Sequence, residues 1–167
     1  GVPGILEDLH EQYLLPPLHA GWHVRRKSEH FRSYEEVAKR LGKLLGIDPW
    51  LINPLYSPCG DVDFSTPAGV NSVSEQVDAL LTKVRRKYKD YGIREKPFVV
   101  IKPDGGTSGL GFITVRDAKE LQKAAAVHGK APDLQAAALR TTQVIIQEGV
   151  LTHERVHDAV AEPVVCM

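Results

Sequence analysis

Lys102 stands at the end of an apolar run, Phe98-Val99-Val100-Ile101, and is followed by Pro103 and a glycine-rich bend. Gly105, Gly106, Gly109 and Gly111 carry no side chain to keep a ligand off the backbone. Thr107 and Ser108 add hydroxyl groups between them. A bend of bare N–H groups beside an ammonium group is a phosphate-binding arrangement. It is not a Walker A loop, because no glycine precedes Lys-Ser or Lys-Thr, and it is not a GxGxxG fingerprint, because position 114 is threonine. Both of those motifs open a helix. Here the strand-forming run Phe112–Val115 follows, so the segment reads as a flap that closes over phosphates. An ordinary hairpin loop is the plainer alternative. Alternation puts Lys102 on the face of Phe98 and Val100, where an ammonium group must either snorkel to water or meet an anion such as a triphosphate.

Two further groups of residues could do chemistry. Gln147-Glu148-Gly149-Val150 follows the apolar run Val144–Ile146, and Gly149 would let an adenine ring lie against the backbone. The segment His19–Arg32 is basic and histidine-rich. In it, Arg25 or Arg26 could take an amino-acid carboxylate through two parallel hydrogen bonds, or could belong to a basic surface strand. His19, His23 and His30 show no defined ligand spacing with acidic partners, so no metal site is assigned. Asp61 and Asp63 are expected in solvent.

These groups need elements to hold them. Phe98–Val115 predicts a hairpin with a long tip. Ser33–Gly46 predicts a helix with a Ser33/Glu36 capping box and an apolar stripe of Tyr34, Val37, Leu41, Leu44 and Leu45. Ser72–Tyr91 predicts a second helix capped by Ser72 and Glu75, with Val77, Leu80, Leu81, Val84, Tyr88 and Tyr91 inward and a basic outer face. Asp117–Ala126 predicts a third helix. Thr142–Val150 and Val160–Cys166 read as strands, and Leu134–Leu139 as a short helix. The proline-rich stretch Ile47–Gly69 reads as irregular but ordered. The expected fold is α+β: residues 93–167 form a lobe of mostly antiparallel sheet with helices, and a mainly helical portion, residues 1–92, is packed beside it.

Composition narrows the function classes. Lysine and arginine number 21, as do aspartate and glutamate, so bulk charge proposes no nucleic-acid or anionic-membrane partner. No run reaches the length of a membrane span. Cys59 and Cys166 form no metal-spaced pair and read as reduced thiols in a cytoplasmic protein. Both ends read as cut, and the strand-like AEPVVCM stops without a turn.

Together, the Lys-Pro strand, the glycine-rich flap and the strand ending in Gln-Glu-x-Val resemble the ATP-grasp superfamily. A longer match is carried by PPLHAGWHVRRKSEHF, LLGIDPWLINP, VDALLTKVRRKYKDYGIREKPFVVIKPDGGTSGLGFITVRDAKE, VIIQEGV and AEPVVCM. On these stretches the chain is similar to the proteobacterial glutamate–cysteine ligase family. The resemblance implies an ATP-grasp-like fold and ATP-dependent ligation of glutamate, through its γ-carboxylate and an acyl phosphate, to cysteine, the first step of glutathione biosynthesis. It implies ATP and Mg²⁺ as cofactors, with Lys102 at the phosphates and Gly105, Gly106, Thr107, Ser108, Gly109 and Gly111 as the flap. Gln147 and Glu148 would lie at the adenine, the Val150 backbone at the hinge and Glu154 at the ribose. The flap departs from the family's Lys-Ala-Asp-Ala-Gly-Thr-Tyr-Gly-Met-Gly at Pro103, Ser108 and Leu110, among others. The family's acidic and asparagine Mg²⁺ ligands are expected after the strand beginning near Ala161, past Met167. The alternatives are another carboxylate–amine ligase of the superfamily, or a non-catalytic remnant that binds nucleotide or a partner chain. A homo-oligomer is a further expectation.

Overall fold

The computed structural model describes residues 13–15, 17, 19, 24–106, 111–128 and 141–161. The described residues form a four-stranded antiparallel sheet with three helices and a small separate hairpin, an α+β fold. In chain order the elements are α1 (Lys27–Leu45), a 3-10 turn (Pro49–Leu51), β1 (Tyr56–Cys59), α2 (Pro67–Asp90), β2 (Val99–Pro103), β3 (Ile113–Val115), α3 (Ala118–His128), β4 (Val144–Glu148), β5 (Arg155–Val156) and β6 (Ala159–Val160). The sheet order is β1-β4-β2-β3.

The expected hairpin forms, with Val99 opposite Val115 and Ile101 opposite Ile113. β4 inserts on its other side, pairing Val100 with Gln147 and Lys102 with Ile145. β1 is an addition. It lies within the stretch read as irregular, because its prolines and short length hide the alternation, and it pairs Tyr56 with Gln147 at the sheet edge. Residues before position 92 thus supply a strand of the sheet as well as helices.

One sheet face is the core. Val99, Ile101, Val115, Val144 and Ile146 pack against Val73, Val77, Leu80 and Leu81 of α2 and Leu121 of α3. Each fully buried aliphatic side chain contributes about 1.5–3 kcal/mol. α2 starts earlier than expected. Thr66, not Ser72, is its cap, accepting from Gly69 N at 3.1 Å, and Pro67 occupies the first turn. Tyr91, expected inward, is exposed. Gly92, at φ 68°, follows the helix end.

α1 also starts earlier than Ser33, and Arg26 gives it no side-chain cap. Its C-terminal Gly46 is left-handed as expected, at φ 67°. The face it buries is Ala38 and Gly42. The longer side chains Tyr34, Val37, Leu41, Leu44 and Leu45 are exposed, which corrects the expected inward stripe. Close approach explains the choice: a Cβ on Gly42 would sit 2.9 Å from Ile47 O, so only small residues fit where α1 meets the following turn.

Candidate functional site

The face away from the core carries Val100 and Lys102 on β2, Ile145 and Gln147 on β4, and Thr114 on β3. Ile145 is buried, Val100, Lys102 and Gln147 are half-buried, and Thr114 is exposed. The strand register brings Lys102 and Gln147 together, and Lys102 Nζ donates to Gln147 Oε1 at 3.1 Å. A half-buried ammonium group and a carboxamide therefore share one face, beside the root of the glycine-rich segment.

That root is held by α1. Asp104 is buried, and its carboxylate accepts from Ser28 N at 2.7 Å and Ser28 Oγ at 2.8 Å. Asp104 O accepts from Lys27 N at 2.9 Å, and Asp104 N donates to Gln143 O at 3.0 Å. A residue 76 positions away thus satisfies the first-turn donors of α1. Lys27 Nζ donates to Pro103 O at 2.8 Å and to Gly105 O and Gly106 O at 3.2 Å. Burial pulls the Lys27 amine below the usual lysine range; Asp104 opposes this, and Arg25 and Lys102 add to it. The Arg26 guanidinium lies over Gly105, where an added Cβ would meet Nη1 at 2.5 Å. Arg26 and Lys27 therefore meet the loop root, which follows Lys102 in the chain. Arg25 and Arg26 are the expected carboxylate partners; Lys27, Ser28 and Asp104 are additions that only the fold reveals. The signal was the run of three basic residues, with no local hint of its distant acceptor.

Glu148 alternates to the core side of β4. Its carboxylate accepts from Trp50 Nε1 at 3.2 and 2.9 Å and from Leu55 N at 2.9 Å. Those bonds tie it to the 3-10 turn, and the same residue lines the cavity beside Val150. Gly149 is closely packed: a Cβ there would lie 2.0 Å from the Phe98 ring, so that ring sits against its Cα. Val150 lines an adjacent cavity of about 750 Å³ with Trp50, Tyr88, Glu148 and His153; Lys102 and Gln147 do not line it. Glu154 is exposed, and its carbonyl accepts from Ala161 N at 3.0 Å. Gly106 and Gly111 take positive φ, 86° and 85°. Thr107, Ser108 and Gly109 lie outside the described residues, as do the expected helix Leu134–Leu139 and most of the strand Val160–Cys166.

A family model for glutamate-cysteine ligase matches residues 1–167. The chain belongs to the glutamate–cysteine ligase family. It is also similar to a crystal structure provisionally described as a gamma-glutamylcysteine synthetase, from Methylobacillus flagellatus KT. That likeness has 44% sequence identity and a TM-score of 0.76, and covers 96% of this chain. The chain spans 38% of the length of that one. No curated protein matches. Among the described residues, no helix is long and apolar enough to cross a membrane. Cys59 is buried in this member of the glutamate–cysteine ligase family, and burial pushes its thiol up to about 11, which makes it a poor nucleophile at neutral pH.

Proposed function

We propose that this chain supplies the ATP-binding lobe, ATP-grasp-like, of a ligase that joins the γ-carboxylate of glutamate to the amine of cysteine. The observation that carries the reading is the pairing of Lys102 with Gln147 on the sheet face away from the core, at the root of the glycine-rich segment. Family membership supports the choice of reaction. A carboxylate oxygen of glutamate attacks the terminal phosphorus, ADP leaves, and the cysteine amine then displaces phosphate from the acyl carbon. The protein's share is positioning and charge neutralisation.

In this reading Lys102 meets phosphate charge, and Gly105, Gly106, Thr107, Ser108, Gly109 and Gly111 cover it. Gln147 offers its carboxamide to the base, the Val150 backbone is the hinge contact, and Glu154 faces the ribose. Glu148 lies at the base with Gln147, held there by Trp50 and Leu55 at the cavity that Val150 lines. Arg25 and Arg26 take the amino-acid carboxylate, and the contact of Arg26 with Gly105 supports a position near the loop. Mg²⁺ belongs to the reading through the family resemblance. Among the described residues no group of three or more His, Cys, Asp or Glu is placed to hold an ion, so no metal-borne step is assigned to them. A cytoplasmic location fits this chemistry.

Calorimetric titration with ATP, with and without Mg²⁺, tests the lobe. Saturable one-site binding is expected, and flat heats at millimolar ATP would remove the nucleotide reading. Formation of γ-glutamylcysteine from ATP, glutamate and cysteine tests the ligation separately.

A further inference from the structure

We infer that Lys27 is the positioning residue of the root of the glycine-rich segment, Gly105 and Gly106: from the first turn of α1, its ammonium group turns the peptide between them so that the Gly106 N–H faces an anion. The inference rests on the nucleotide reading and adds a residue and a mechanism to it.

An ammonium group has three donors, and here they meet three carbonyls of one short stretch, Pro103 O, Gly105 O and Gly106 O. In a trans peptide the C=O and the following N–H point in opposite directions. Fixing Gly105 O on Lys27 therefore aims the Gly106 N–H away from α1. Glycine at 105 and 106 leaves these peptides free to rotate, and Gly106 takes a φ of 86°. Left to themselves, these two residues would lose conformational entropy on being ordered around an anion. Lys27 removes part of that freedom beforehand. Asp104 makes the attachment two-sided, because its carboxylate takes Ser28 N and Ser28 Oγ while its carbonyl takes Lys27 N. α1 and the loop root therefore move as one body. The partners of Lys27 are carbonyls, so its charge is already engaged, and its effect on a phosphate comes through the peptides it orients.

The test compares Lys27→Met, Lys27→Arg and Ser28→Ala with the native chain by two measurements. The first is the nuclear relaxation order of the Gly105 and Gly106 amides without nucleotide. The native values should sit near the rigid-backbone level of about 0.85, and those of Lys27→Met should fall below about 0.6. The second is the ATP Kd. Lys27→Met and Lys27→Arg should each weaken binding about tenfold, and Ser28→Ala about threefold, with cooperative unfolding retained. Full affinity in Lys27→Arg would show that charge alone is used and would overturn the proposal, as would unchanged amide order in Lys27→Met. If the native chain binds no ATP, the nucleotide reading fails. The amide data then decide by themselves whether Lys27 orders the segment.

Discussion

The indole Nε1 of Trp50 donates to both carboxylate oxygens of Glu148, at 3.2 and 2.9 Å, and ties the turn after α1 to the end of the central strand β4. Leu55 N adds a third bond to the same carboxylate. Glu148 is buried, so removing it strands two donors. Glu148→Ala should lower the free energy of unfolding by about 3 kcal/mol, measured by urea titration. A loss of nucleotide affinity with native stability would instead mean that Glu148 serves the base and not the turn.

Gly149 faces the Phe98 ring at a distance that no Cβ can share. Gly149→Ala should cost about 1–3 kcal/mol through overpacking. The double variant with Phe98→Leu should recover part of that loss, because the shorter side chain vacates the contested space. Additive costs in the double-mutant cycle would show that the two positions do not touch.

Lys102→Ala removes a half-buried ammonium group from the sheet face away from the core. Its ATP Kd should rise at least about tenfold, a difference of about 1.4 kcal/mol. Unfolding should change much less, because the half-buried Gln147 can turn its carboxamide to water. An identical titration curve would dismiss Lys102 as a phosphate contact.

Asp48 accepts from Lys87 Nζ, from Trp50 N at 3.0 Å and from Tyr91 Oη at 3.1 Å. The Lys87 bond first, then the Trp50 amide, hold its carboxyl below the ordinary 3.8. A depressed folded-state value means that the stabilisation is full above the unfolded value and is lost as pH falls through the folded one. The stability gap between the native chain and Asp48→Asn should therefore be level from about pH 7 to about pH 5 and narrow below about pH 4. A gap that stays constant down to about pH 2 would contradict this.

Gly42 and Leu44 invert the usual expectations for a helix. Propensity alone makes Gly42→Ala stabilising by about 1 kcal/mol. A Cβ 2.9 Å from Ile47 O reverses the sign, and a net loss of about 1–2 kcal/mol is expected. Leu44 is 81% exposed, so Leu44→Gln should stay within about 0.5 kcal/mol of native. Calorimetric melting of both variants checks the pair; a stabilised Gly42→Ala would mean that α1 does not pack as described.

What the sequence determined by itself is local. The hairpin around Lys102, the stop signals at Gly46 and Gly92 and the inward face of α2 follow from periodicity and from the backbone preferences of single residues. Those forces act between near neighbours and are written in the order of the chain. The placing of Lys102 on one face with its alternating neighbours was legible for the same reason. Tertiary structure decided everything that depends on a distant partner. Asp104 starts α1 six residues before its apparent capping box, because a carboxylate 76 positions away satisfies the first-turn amide of Ser28. Glu148 turns to Trp50, 98 positions earlier. β1 exists because β4 offers it an edge, and α1 buries Ala38 and Gly42 instead of its leucines because the turn that follows leaves room only for small residues. In each case the free energy comes from a hydrogen bond or a close approach between remote segments, and no spacing along the chain encodes it.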